Sequence, residues 1–284
     1  MFKRSVVVIA LLGALLLPTT SEEKPGGAVR LRFARCQVGE KVFYGVVQGD
    51  AVREISGDLF GAWKITSVRH KLADARILVP TTPSKVFALA GNYRDHIGKD
   101  KEPPKIPQPF IKLPSCLQRH EGNIELPGDT TDVHYEAELV IVIRRQAKNV
   151  SESEALKYVL GITCGNDVSA RKWQKDDVQW WRAKASDTFG PCGPFILSWN
   201  DNYKNLEMTL RVNGEVRQRT NTSNMVHDIA QTVSFISKHC TLEPGDLIFT
   251  GTPGKTQPLK PGDVVEVEIE NVGILRNKVV KASK

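Results

Sequence analysis

The stretch 130–145, TTDVHYEAELVIVIRR, sets Glu136 and Glu138 one residue apart at the head of a run of branched apolar residues. In an extended strand side chains alternate, so His134, Glu136 and Glu138 share one face while Tyr135, Ala137 and Leu139 share the other. Same-face neighbours stand about 6.5–7 Å apart, twice the rise per residue. Two ionised carboxylates at that spacing in a low-dielectric setting repel unless a cation lies between them. Hard oxygen donors arranged this way suit Mg²⁺, Mn²⁺ or Ca²⁺. A bare E-x-E pair is more often the wet face of an edge strand. Val140 and Val142 argue against that here, because they continue the glutamate face and need cover.

Asp167 adds a third carboxylate, at the end of GITCGND and just before VSARKWQ. It fits a third metal ligand, and it fits equally the N-cap of the helix that follows. Arg171 and Gln174 come next. His96 lies in GNYRDHIGKD, ahead of a Pro-rich stretch. A histidine in such a loop is commonly solvated, yet loops also carry proton-transfer groups. Lys184, in WWRAKASDTFGPCGP, reads either as a surface lysine or as a partly desolvated cation facing an anionic substrate. FTGTPGK offers backbone N–H groups and hydroxyls in a Gly-rich turn after a strand, a setting for a carboxylate. It lacks the G-x-x-x-x-G-K-[ST] spacing of a nucleotide-binding loop.

Strands and turns must hold these residues. AVRLRFARC and KVFYGVVQGDAVREI alternate like paired strands turning at Gln48-Gly49-Asp50, and residues 66–75 read as a short helix. With residues 22–29 as a polar linker, this makes a small antiparallel unit over 22–79. Beyond it, KVFALAGNY predicts a strand ending in a Gly-Asn turn, RDHIGKDKEPPKIPQP a mobile surface loop, and IELP a strand. Ser151 with Glu154 predicts a capping box for a helix running to Leu160. GITCGND and PFILSW read as strands, and LEMTLRVNGEVRQR as a hairpin turning at Asn213-Gly214. Residues 225–239 predict an amphipathic helix, and DVVEVEIENVGILRNKVV two alternating strands. The fold class is mostly β with α additions.

A chain of 284 residues, 40% hydrophobic and 25% charged, suits one large domain or a large domain with a small one. Its net charge is +7, but the basic residues are scattered, which argues against nucleic acid as a partner. Cys36, Cys116, Cys164, Cys192 and Cys240 are widely spaced with no C-x-x-C, so zinc and thioredoxin-type readings are weak. Residues 1–21 join a basic start (Lys3, Arg4) to an apolar run from Val6 to Leu17 that breaks at Pro18. This is a signal-peptide pattern, too short for a comfortable membrane span. It predicts an exported protein, periplasmic or secreted. The alternatives are an uncleaved N-terminal anchor, or a cytoplasmic protein whose leader is not a signal.

Seven motifs, AGNYRDH, PFIKLPS, HYEAELVIVI, GNDVSARKWQ, RAKASDTFGPCGP, RTNTSNM and LEPGDLIFTGTPG, stand in an order and spacing that resembles the fumarylacetoacetate hydrolase family. The resemblance spans residues 80–282, and the segment before it is similar to that family's small appended domain. It implies a catalytic domain over 80–284 built on a rolled mixed β-sheet, and a homodimer. The branch it resembles is that of acylpyruvases and 2-hydroxyhepta-2,4-diene-1,7-dioate isomerases. It implies that Glu136, Glu138 and Asp167 hold Mg²⁺ or Mn²⁺, with Ca²⁺ also admissible. It implies a 2-oxo-carboxylate substrate that chelates this metal and meets Arg171, Gln174, Lys184 and Thr252, with His96 and Lys184 as catalytic residues. The reactions implied are C–C hydrolysis, decarboxylation and isomerisation. All three pass through an enolate beside a carboxylate, whose charge the metal and Lys184 stabilise.

One position departs from the hydrolytic pattern. Hydrolytic members pair the loop histidine with a glutamate as H-x-x-E, whereas this chain reads His96-Ile97-Gly98-Lys99. A cation there disfavours the imidazolium that a water-activating base must become. Asp100 and Glu102 are the carboxylates near enough in sequence to substitute. The rival reading from another class is a metal-dependent small-anion binding protein with little turnover. The acidic triad together with Lys184 and Gln174 favours an enzyme.

Overall fold

The computed structural model describes residues 30–98, 100–198 and 203–282. The expected leader, residues 1–21, and Lys99 lie outside the described residues. Two mixed sheets carry the chain, and the helices are few and short, as the alternating runs and frequent turns predict.

The centre of the larger sheet is Ala137–Ile143, and every residue in it is buried. Protein lies on both of its faces, which is why the run is continuously apolar rather than alternating. Leu139, Ile141 and Ile143 pack into one core with Met208, Val267 and Ile236. Val140 and Val142 pack into a second core with Val86, Ala88 and Phe249, and so find the cover they need.

Pairing directions place the site. Ala137–Ile143 runs antiparallel to Val159–Asn166 on one side and to Leu247–Phe249 on the other. Val86–Leu89 runs parallel to Leu247–Phe249, and Pro109–Lys112 closes that edge antiparallel. The start of the central strand therefore lies beside the ends of three others. Glu138, Asp167, Thr252 and the segment leading to His96 all issue from this one end of the sheet. The smaller sheet runs in the order Glu215–Asn221, Glu207–Val212, Val264–Ile269, Gly273–Lys281 and Asn123–Leu126. Its hairpin turns at Asn213 and Gly214 as expected. The N-terminal strands Arg32–Val38, Lys41–Gln48, Ala51–Gly57 and Trp63–Lys71 form an antiparallel ladder. Arg32–Val38 also pairs with Gly190–Ser198, so this ladder continues the large sheet.

Several local expectations are corrected. Residues 66–75 lie mostly in the strand Trp63–Lys71, followed by a single 3₁₀ turn, Leu72–Asp74. Ile65, Thr66 and Val68 are β-branched and favour the extended form, and pairing with Ala51–Gly57 satisfies the backbone. Ser151 makes no cap bond, and its helix is one turn, Glu152–Ala155. Glu154 pairs with Lys157 instead, and from Val159 the chain is a central strand, whose buried packing overrides helix propensity. The helix expected over 225–239 begins at Ile229, where Asp228 and Gln231 form the capping box. The stretch expected as a surface loop includes a helical turn, Arg94–Ile97, that seats His96. The extended run through His134, Glu136 and Glu138 is also broken. Val133–His134 pairs with Ser169–Ala170, and Glu136 stands in the gap before Ala137–Ile143.

Gly165 lies opposite Glu138 in the register. A methyl group there would meet Val140 Cγ2 at 2.4 Å and Phe249 Cε1 at 2.6 Å. Gly165→Ala is expected to lower stability by about 1–3 kcal/mol through overpacking, measured by urea unfolding. An unchanged midpoint would show that this layer has room to expand.

Candidate active site

Three strand ends build an acidic cluster. Ala137 pairs with Asn166, so Glu136 and Asp167 meet where the two strands part. The Asp167 backbone N–H donates to the Glu136 carbonyl at 2.9 Å, and the Glu136 N–H donates to Asn166 Oδ1 at 2.8 Å. These bonds lock the junction. One carboxylate oxygen from each of Glu136, Glu138 and Asp167 lies within 4.8 Å of the other two, and all three residues are at most 3% exposed. Asp167 caps no helix: the N-cap of Arg171–Asp176 is Ala170.

Cations surround two of the three acids. Lys184 is 3% exposed, which excludes the surface-lysine reading. Its Nζ donates to Glu136 Oε2 and to Asp167 Oδ2, each at 2.7 Å. Lys112, fully buried, donates to Asp167 Oδ1 at 2.7 Å, to the Phe189 carbonyl at 3.1 Å and to the Lys184 carbonyl. Arg171 reaches Glu136 Oε1 at 2.5 Å, Gln174 Oε1 at 2.8 Å and Thr256 Oγ1 at 2.8 Å. Glu138 has no cationic side chain in contact among the described residues. Its Oε2 accepts the Gly251 N–H at 2.6 Å, supplied by the Gly-rich turn.

These environments push the two glutamates apart. Burial alone raises Glu136, but Lys184, Arg171 and His96 outweigh it and hold the carboxyl well below its ordinary range. Burial drives Glu138 well above that range, and the charges of Asp167 and Glu136 add to the effect. Burial lowers Lys112, but Asp167 outweighs it and the ammonium stays charged. The donor set fits a divalent metal: three buried hard-oxygen ligands, one of them a carboxyl without a cation against it.

Beside the cluster lies a cavity of about 130 Å³. His96, Glu136, Arg171, Gln174, Lys184 and Thr252 line it, and Phe110 and Trp180 form its apolar wall. Five of the residues expected to be catalytic or to meet substrate thus share one cavity with a predicted metal ligand. His96 Nδ1 lies 2.6 Å from the Gly254 carbonyl. A carbonyl only accepts, so Nδ1 carries a proton, and Nε2 is the nitrogen left to gain or release one. Nε2 lies 3.9 Å from Glu136 Oε1. Neither Asp100 nor Glu102 pairs with His96 among the described residues. His134 turns away to Asp132 at 2.7 Å and Thr256 at 2.8 Å.

Sequence reasoning passed over Lys112, Thr256 and Gln218. Lys112 carried a signal, being a lone charge in the apolar segment PFIKLP. The Gly251 N–H that meets Glu138 belongs to the Gly-rich turn whose backbone donors the sequence offers to a carboxylate.

Comparison with known proteins decides the family. The family model described as fumarylacetoacetate (FAA) hydrolase C-terminal matches residues 85–280. The chain belongs to the fumarylacetoacetate hydrolase family. A second model, described as Rv2993c-like, N-terminal, matches residues 31–80. The chain resembles the crystal structure of 2-hydroxyhepta-2,4-diene-1,7-dioate isomerase from Mycobacterium marinum, with TM-score 0.83 and 40% identity, over 89% of this chain and 100% of that one. It is 39% identical to the mitochondrial oxaloacetate tautomerase FAHD2A of Bos taurus over 221 residues, 73% of this chain and 70% of the relative. It also resembles maleylpyruvate hydrolase from Sphingobium sp. SYK-6, solved with manganese(II) and pyruvate, with TM-score 0.75 and 28% identity, over 89% of this chain and 100% of that one.

Because the folded pKa of Glu138 lies above its unfolded value, its contribution to stability is full below the unfolded pKa and is lost as pH rises through the folded one. Glu136 runs the other way, its contribution present above the unfolded pKa and lost as pH falls through the folded one. Glu138→Gln, stripped of metal with EDTA, is therefore expected to exceed the parent in stability above neutral pH. The gain is about 1–3 kcal/mol by urea unfolding, the usual penalty for an uncompensated buried group. The same variant is expected to lose Mn²⁺ binding by calorimetry. A variant no more stable than the parent at high pH would show that the Glu138 charge is compensated within the protein.

Proposed function

We propose that the chain is a divalent-metal-dependent enzyme that moves a proton on a 2-oxo-carboxylate substrate by way of its enolate, as a tautomerase or isomerase. The observation that carries this reading is His96, held by the Gly254 carbonyl so that Nε2 is the basic nitrogen, in the cavity that Lys184 and Arg171 make cationic. The names of the bovine tautomerase and the mycobacterial isomerase support it.

A Mg²⁺ or Mn²⁺ ion held by Glu136, Glu138 and Asp167 would act as a Lewis acid on the developing enolate charge. The chain's own residues do the rest. Arg171 and Gln174 are hydrogen-bonded to each other at 2.8 Å, which sets the guanidinium plane at the cavity wall for a carboxylate. Thr252 adds a hydroxyl. Lys184, bonded to two carboxylates, lies in a water-poor pocket, where an ammonium stabilises an oxyanion more than it would in bulk water. His96 Nε2 takes the proton from the carbon beside the ketone and returns it to the enolate at carbon or oxygen.

C–C hydrolysis asks for more. Either reaction makes His96 an imidazolium while it holds the proton; hydrolysis must in addition activate a water, a further demand on the base that a carboxylate partner meets better than a peptide carbonyl does. Here Nδ1 is held by a carbonyl, and Lys99 stands where hydrolytic relatives have glutamate. Proton transfer without water activation suits this arrangement better.

With added Mg²⁺ or Mn²⁺, the protein is expected to speed oxaloacetate keto–enol exchange, followed by loss of enol ultraviolet absorbance. His96→Ala is expected to lower kcat by about 10²–10⁴-fold, the span of general acid–base catalysis. Acylpyruvate cleavage faster than this exchange would replace the tautomerase with a hydrolase. Metal-dependent oxalate binding without turnover of any 2-oxo acid would favour the anion-binding protein.

A further inference from the structure

The turn FTGTPG holds two buried threonines whose hydroxyls are used differently. Thr250 Oγ1 donates to the Leu139 carbonyl at 2.9 Å, so its hydrogen is spent inside the fold. Thr252 Oγ1 accepts from Gln218 Nε2 at 2.9 Å. Among the described residues the Thr252 hydroxyl hydrogen has no acceptor, and Thr252 lines the cavity.

Gln218 itself has no freedom to turn. It sits on Glu215–Asn221 in the smaller sheet and is 5% exposed. Its Oε1 accepts the Ala137 backbone N–H at 2.9 Å, and its Nε2 donates to the Pro253 carbonyl at 2.6 Å. An N–H demands an acceptor and a carbonyl demands a donor, so these two partners fix which end of the amide is which. The second Nε2 hydrogen must then go to Thr252.

We infer that Gln218 is a positioning residue that fixes Thr252 as a hydrogen-bond donor for an anionic substrate. With one lone pair of Thr252 Oγ1 engaged by Gln218, the O–H is left to point elsewhere, and a carboxylate or enolate oxygen in the cavity is its natural acceptor. An unanchored hydroxyl could instead present lone pairs to the anion and repel it. Gln218 also joins the two sheets, holding the segment before Glu138 and the turn after Leu247–Phe249 in one register. The inference rests on the reading of the cavity as a 2-oxo-carboxylate site and adds to it the residue that sets donor polarity.

Calorimetric titration of oxalate, an enolate mimic, into the Mn²⁺-loaded protein tests this. The proteins compared are wild type, Gln218→Met, Thr252→Val and the double variant, each checked for an unchanged circular dichroism spectrum. Each single substitution is expected to weaken oxalate about tenfold, as for loss of a hydrogen bond to a charged group. The double variant is expected to match Thr252→Val within about twofold, because Gln218 acts through the hydroxyl that variant lacks. In turnover, Gln218→Met raises KM more than it lowers kcat. Should methionine unsettle the fold, Gln218→Asn, which withdraws the amide by one methylene, enters the same cycle with the same expectation. An equal loss from the Gln218 substitution in both Thr252 backgrounds, or no loss in either, overturns the inference and leaves the functional reading standing. A wild-type protein that binds no oxalate overturns the functional reading, and the inference falls with it.

Discussion

Three carboxylates brought within 4.8 Å of one another in a nearly water-free layer is the constraint that orders this molecule. Like charges at that range repel strongly, and each also loses its hydration. The surrounding structure answers both penalties. Lys184 bridges Glu136 and Asp167, Lys112 holds the other oxygen of Asp167, and Arg171 holds the other oxygen of Glu136. Among the described residues Glu138 is left with a single backbone donor. One carboxyl group thus remains electrostatically unmatched among the described residues, and that mismatch is what suits the cluster to a small divalent cation rather than to a purely structural ion-pair network.

Such a cluster needs rigid support, because small displacements at this range carry large electrostatic penalties. The support is the large sheet, whose central strand is buried on both faces and locked by neighbours running antiparallel on either side. Alternating strand direction gathers the functional segments at one sheet end. The Gly-rich turn after Leu247–Phe249 then serves several partners at once. Gly251 donates to Glu138, Thr252 faces the cavity, and Gly254 fixes the tautomer of His96. The proposed metal ligand, substrate contact and proton carrier are therefore tied to one short segment.

What could be read in advance follows from the range of the interactions concerned. Glu136, Glu138 and Asp167 stood out because charges at the ends of apolar strands are costly unless employed, and that cost is visible within a few residues. The large hairpins and central strands were legible for the same local reason. Gln218 was not, because a glutamine on a strand with mostly exposed neighbours looks like surface, and its partners lie 81 and 34 residues away. Residues 66–75 were misread as helix because their strand pairing is set by Ala51–Gly57, not by their own pattern. The Ser151 capping box was overridden in the same way, since the chain must already be extended by Val159 to fill the sheet. The shared strand face expected for His134, Glu136 and Glu138 failed because Glu136 sits in the gap between the short ladder of Val133–His134 and the long ladder of Ala137–Ile143.

The lysine bridge between Glu136 and Asp167 also bears on how the protein is made. In small metal-nucleated domains the ion itself drives folding, and the chain stays unfolded until the ion arrives. Here an internal ammonium already ties two of the three acids together, and the strands that carry them belong to large apolar cores. Folding can therefore proceed with no ion at the cluster, chain collapse resting on the apolar cores. An ion taken up by these acids, as proposed, would then be acquired after synthesis, with its availability rather than foldability governing when.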